Sequence, residues 1–176
     1  MKLRSSSIIF KSVIAGIIAS MLSYICMQRD WALSIIPIVM ASAMYICFGD
    51  QRKYSIAISM LIHLALSYMF FGIGFLMLWI DLGFIMSMPG FSLMSVITGC
   101  GILLGNSFVF KYHRCYPYVL IGIMVFACLP WIANQIMIID RNFNVFWIFL
   151  LLWQITLMVL MSLCIYDKRM KNENWI

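Results

Sequence analysis

The chain has 176 residues, 65% of them hydrophobic and 10% charged, against about a quarter charged in soluble domains. That mix argues against a water-soluble fold. The net charge of +6 does not point to nucleic acid, because such binding needs Lys and Arg gathered on one solvated face among stacking aromatics. Here the basic residues stand singly between apolar runs. The expectation is a single all-α domain, a polytopic helix bundle in lipid, with no polar stretch long enough for a second domain.

A spanning helix needs ~20 largely apolar residues. Six stretches qualify: 8–27, 31–48, 54–80, 91–110, 116–139 and 145–166, with 167–176 left as a short tail. Their unbroken apolarity, without strand-like alternation, favours helices over a barrel.

The first stretch follows Lys2 and Arg4, and no small-x-small cleavage site precedes Gln28, so it reads as a retained span and not a signal peptide. It carries Ala15-x-x-x-Ala19 and Gly16-x-x-x-Ser20, small-residue pairs that suit docking to a partner or to the protein's own bundle. The second contains Pro37 and the fifth Pro130, both toward the predicted outer side. That shared depth fits poorly with inverted repeats, which would place one toward each face.

The third stretch holds the most informative pattern. Ser55, Ser59, His63 and Ser67 recur every fourth residue and so share one helical face. His63 lies nine residues beyond Tyr54, which places it roughly 14 Å into a core about 30 Å thick. An imidazole at that depth either binds a solute or moves protons, or it donates to a neighbour and pins two helices together. The apolar residues before Pro89-Gly90 are expected to lie along the interface.

The fourth stretch contains Gly99, Gly101 and Gly105, with Ser92 and Ser95 on one side and Asn106 on the other. Gly101-x-x-x-Gly105 is a packing signal that serves the bundle or a dimer. In the sixth, Gln154 is ten residues past Asn144 and is followed by Thr156. It is also near mid-membrane, and it either faces His63 in a solute site or acts as interhelical glue. The candidate substrate-binding set is therefore His63, Ser59, Ser67 and Gln154. A candidate outer mouth is formed by Asp81, Asn134 and Gln135, with Arg29, Asp30, Asp140 and Arg141 nearby; these could equally be solvated loop residues.

Orientation follows from the cations. Lys2, Arg4, Lys11, Arg52, Lys53, Lys111, Arg114, Lys168, Arg169 and Lys171 fall at one side, and Arg29 and Arg141 at the other. Short loops obey the positive-inside rule, so both termini face the cytoplasm. Trp31, Trp79, Trp131 and Trp147 then fall near the outer ends, where indoles favour the head-group layer. A short chain without a transit peptide or retrieval tail suggests a bacterial inner membrane.

Chemistry is poorly represented. There is no Cys-x-x-Cys, no His-Glu-x-x-His, no nucleophile elbow, no phosphate loop and no Asp or Glu within the spans, so no metal or cofactor is expected, and the residues lean against an enzyme without deciding the question, since one built on His63 alone stays open. The six cysteines read mostly as small buried apolar residues. In size, six-helix topology, cytoplasmic termini and the Ala15-x-x-x-Ala19 pair, the chain resembles in outline the substrate-binding subunits of energy-coupling-factor vitamin transporters. That resemblance implies a substrate-binding membrane subunit, with no substrate-site residue to carry over. The leading expectation is a small-solute transporter or the substrate-binding subunit of one. The alternative is a non-catalytic accessory, assembly or immunity protein acting through helix–helix contacts. Expected partners are the lipid bilayer, a membrane protein or second copy, and a small solute, not nucleic acid.

The topology is directly testable. A fluorescent reporter fused after Ile176 should glow in the cytoplasm, while alkaline phosphatase inserted at 30 or 142 should be active; the reverse pattern would invert the assigned orientation.

Overall fold

A computed structural model describes residues 2–27, 32–80, 88–112, 116–139 and 145–172. Among the described residues six α-helices follow in chain order: α1 (Lys2–Met27), α2 (Ala32–Phe48), α3 (Ile56–Ile80), α4 (Met88–Val109), α5 (Tyr116–Ile139) and α6 (Val145–Asn172). A 3₁₀ turn, Gly49–Gln51, continues α2. Five of the six, all but α2, are long and apolar enough to cross a membrane, whereas the apolar helical stretch Ile35–Gln51 is shorter. The protein is an all-helical, apolar bundle of the integral membrane type.

Three boundaries depart from the apolar stretches because hydropathy and helicity stop at different places. α1 begins at Lys2 and α6 runs to Asn172, through polar residues that include Lys and Arg, both good helix formers, and no Gly or Pro. α4 takes in Pro89 and Gly90, because proline is tolerated in a first turn, where its missing N–H has no intrahelical partner. The interfacial segment expected before them lies largely outside the described residues. Pro37 and Pro130 sit inside α2 and α5.

Each helix packs on its neighbours in sequence, and α6 closes the circuit against α1 while also reaching α4. Extensive apolar surface on α1, α3 and α5 remains exposed, for example Ile18, Leu61 and Met124. In water this would be a liability; facing lipid it is the expected outer surface. By contrast, α6 is the most interior helix, with Trp153, Leu157, Met158, Met161 and Cys164 all buried. The core is completed by Met40 and Met44 of α2, Leu103 of α4, Phe126 of α5 and Phe110.

The cysteines divide differently from the expectation. Cys100 and Cys164 are buried, Cys26 and Cys47 are half-buried, and Cys128 is exposed; Cys115 lies outside the described residues. Cys128 lies on the same outward face as Met124 and Trp131, and a thiol is apolar enough to meet lipid there. Of the tryptophans, Trp131 is half exposed and Trp147 packs against Tyr24, ring centroids 4.6 Å apart and planes tilted by 41°. Trp31 lies outside the described residues.

Close approach at two interfaces depends on glycine. A Cβ added at Gly16 would stand 2.9 Å from the Ile155 Cα, so α1 and α6 meet nearly backbone to backbone. On α4, a Cβ at Gly101 would enter the Phe70 ring at 2.3 Å, while Gly105 faces Leu66. Gly101 and Gly105 thus seat α3 on α4 within the bundle. Ala19 is buried at the α1 interfaces, and Ala15 packs against the core beside it.

One end of the bundle is locked by its links. Lys53 N–H donates to Val109 O and Lys111 N–H to Gln51 O, joining the α2–α3 link to the end of α4 through an antiparallel bridge, Arg52 to Phe110. Lys53 Nζ also donates to Ser107 O at 2.6 Å. A cation bonded to a last-turn carbonyl satisfies an acceptor that has no intrahelical donor, and it opposes the helix dipole favourably.

Gly16→Ala should lower stability by about 1–3 kcal/mol, the usual cost of overpacking. Gly72→Ala, with nothing within 4 Å of the added carbon, should be neutral or should gain up to about 1 kcal/mol of helix propensity. Unfolding of both variants in mixed micelles checks the contrast.

Candidate functional site

The polar stripe turns inward from Ser59 onward, whereas Ser55, just before α3, is exposed. Ser59, His63 and Ser67 are all buried, and α4 presents Asn106 to them. His63 Nδ1 lies 2.5 Å from Asn106 Oδ1. The amide group of Asn106 donates from Nδ2 to the Ile102 carbonyl at 2.8 Å and lies 3.6 Å from Met44 Sδ of α2. Because a carbonyl such as Ile102 O can only accept, the Asn106 orientation is fixed, and Oδ1 must be the atom that faces the imidazole. His63 therefore donates through Nδ1–H. Its Nε2 is left as an acceptor, and Ser67 Oγ donates to it at 3.3 Å. A neutral imidazole has one donor and one acceptor, and here both are used inside the protein.

Gln154 belongs to a different cluster. Its Oε1 accepts from Ser20 Oγ at 3.0 Å and its Nε2 donates to Ser23 Oγ at 3.1 Å. The single Ser20 proton is shared with Gly16 O at 2.8 Å. Ser20 and Ser23 lie three residues apart, one turn of α1, so an acceptor and a donor on the same face match the two ends of one carboxamide. The glycine at 16 brings the helices near enough for these short side chains to reach. His63 and Gln154, grouped by their depth in the sequence, thus bond to different partners: the imidazole ties α3 to α4, and the carboxamide ties α6 to α1.

A third polar contact joins α6 to α4. Trp153 Nε1 donates to Ser95 O at 3.3 Å, and its indole lies between Phe71 of α3 and Phe126 of α5, with centroids 5.7 and 5.9 Å away. Trp153 and Ser23 carry no sequence signal beyond their type. Asn106 does, since an amide among the apolar residues closing a span needs an internal partner, and antiparallel neighbours can bring it level with His63.

Hydroxyls divide in an informative way. Ser12, Ser42 and Thr98 each donate to the carbonyl four residues earlier, the usual solution in a helix. Ser59 Oγ and Tyr45 Oη are buried without a hydrogen-bond partner, as are Ser92 Oγ and Ser95 Oγ. Ser59 is one turn before His63, and Tyr45 of α2 packs on Phe110, one turn after Asn106, with centroids 5.8 Å apart.

The outer mouth is only partly described. Asn134 is half-buried and Gln135 exposed near the end of α5, and Asp81 lies outside the described residues. Among the described residues, no group of His, Cys, Asp and Glu could hold a metal ion. Compared with protein-family models, curated proteins and solved structures, the chain matches none.

The His63–Asn106 bond can be measured by a double-mutant cycle with His63→Leu and Asn106→Leu. Each single replacement should cost about 1–3 kcal/mol by stranding its partner, with a coupling near 1 kcal/mol, within the range for interhelical bonds in membranes. A coupling of zero would refute the bond.

Proposed function

We propose that this chain is a six-span integral membrane protein with both termini in the cytoplasm, working as a non-catalytic partner or accessory protein in its membrane. The carrying observation is that the mid-span polar groups are matched within the protein. His63 bonds to Asn106 and Ser67, and Gln154 to Ser20 and Ser23. Such closed pairs hold helices in register. A solute at either cluster would have to displace bonds already made, each in surroundings where an unmade bond is costly.

The sixth span is α2. Its 17 residues with the 3₁₀ turn cover roughly 31 Å, which matches a hydrocarbon core of about 30 Å. An even number of spans returns the last helix to the side of the first, in accord with the distribution of cations. With His63, Asn106 and Gln154 committed to holding the bundle, the surfaces open to other molecules are its lipid-facing helices and its ends.

Solute binding is the second reading. Its support is Ser59 Oγ, buried without a partner one turn from His63, and Tyr45 Oη, likewise buried without a partner where its ring packs on Phe110; a bound solute or water would satisfy both.

Native mass spectrometry of protein extracted with its surrounding lipid separates the two. The accessory reading expects a stoichiometric protein partner, retained when His63 and Asn106 are both replaced by leucine. A reproducible small molecule that is lost on His63→Leu or Ser59→Leu would overturn it in favour of solute binding.

A further inference from the structure

Between α1 and α2 runs a groove of about 620 Å³, open to the outside of the bundle. Its floor is made by small side chains, Ala15 and Ala19 of α1 and Ala43 of α2, and Ile18 and Ile46 stand out as its walls. Ile46 is 84% exposed, so the wall has no covering neighbour within the chain.

The groove has a length and a polarity. On α1 its lining extends from Lys11 to Leu22, and on α2 and the turn after it from Ile38 to Asp50, roughly 16 and 18 Å at 1.5 Å per residue. Half of a hydrocarbon core of about 30 Å is about 15 Å. The trough therefore reaches from one surface of the bilayer to near its middle, the depth of one leaflet. At one end, the same groove is lined by a cation, Lys11, and an anion, Asp50. Both side chains are exposed, and neither forms an ion pair among the described residues. Elsewhere the lining is apolar apart from Cys47 and Ser42, whose hydroxyl is already bonded to Ile38 O.

We propose that this groove binds one phospholipid bearing a zwitterionic amino head group, with an acyl chain along the alanine floor, the phosphate at Lys11 and the ammonium at Asp50. A single acyl chain fits the leaflet-deep trough. The long lysine stem can follow the chain while its ammonium reaches the head-group layer. The carboxylate decides the head group: a glycerol head group would satisfy Lys11 through its phosphate but bring no cation to Asp50, and a quaternary choline offers no N–H for the carboxylate to accept. The inference needs only the membrane location of the bundle, not the accessory role proposed above.

The test is native mass spectrometry of delipidated full-length protein titrated separately with dioleoyl phosphatidylethanolamine, phosphatidylcholine and phosphatidylglycerol. One phosphatidylethanolamine per chain is expected, held about tenfold more tightly than either of the others. Ser42→Phe, at an exposed position inside the groove, should abolish that preference by filling the trough. Asp50→Lys, on the exposed turn after α2, should transfer the preference to phosphatidylglycerol by making the end doubly cationic. Equal retention of all three lipids by the native protein, or unchanged retention in both variants, would overturn the proposal.

Discussion

In hydrocarbon a polar side chain finds its partner within the protein or goes without one, and the arrangement of this bundle follows from that constraint. Water can offset a misplaced donor at a soluble surface; a helix in lipid has no such reserve. An imidazole on α3 and two carboxamides, one on α4 and one on α6, therefore act as fixed points. His63 requires an acceptor at Nδ1 and a donor at Nε2, and Asn106 with Ser67 supplies both. Gln154 requires the complementary pair, and one turn of α1 supplies it through Ser20 and Ser23. Each bond selects one rotation and one register from the many that uniform apolar packing would allow.

Small residues make these bonds reachable. The short serine side chains of α1 can meet Gln154 because Gly16 lets the backbones of α1 and α6 approach to a distance that any Cβ would obstruct. Gly101 plays the corresponding part on α4, where the Phe70 ring occupies the space of the absent side chain. At the bundle's end, the backbone bonds between Lys53 and Val109 and between Lys111 and Gln51 reinforce the same α3–α4 register. Close packing, end-locking and buried polar pairing support one another, and dispersion contacts fill the remaining volume.

The lipid-facing surface obeys a different logic. Along α1, α3 and α5 the large apolar residues are exposed and interchangeable in kind, since one hydrocarbon neighbour is much like another. The trough between α1 and α2 breaks that uniformity. Alanines form its floor, isoleucines its walls, and opposite charges share one end. The contrast places the protein's specific features in its buried polar pairs and in this lateral groove.

How much of this was legible in the sequence follows from which forces act locally. Apolar runs fixed the class, an all-helical membrane bundle, and the periodic spacing of Ser59, His63 and Ser67 correctly marked one face of α3, because helical geometry makes such spacing readable without a partner. The signature Gly101-x-x-x-Gly105 marked a close approach for the same reason. Choice of partner was not legible. Depth alone made His63 and Gln154 plausible neighbours, but depth is one coordinate, and the order of helices around the bundle supplies the others. Helices run past the apolar stretches at Lys2, Met88 and Asn172, where hydropathy falls away while backbone hydrogen bonding continues. The sequence by itself determined which surfaces must avoid water and which side chains must find a bond. Only the tertiary structure decided who bonds to whom, because a hydrogen bond is short and directional and depends on the relative position of two helices that no single helix encodes.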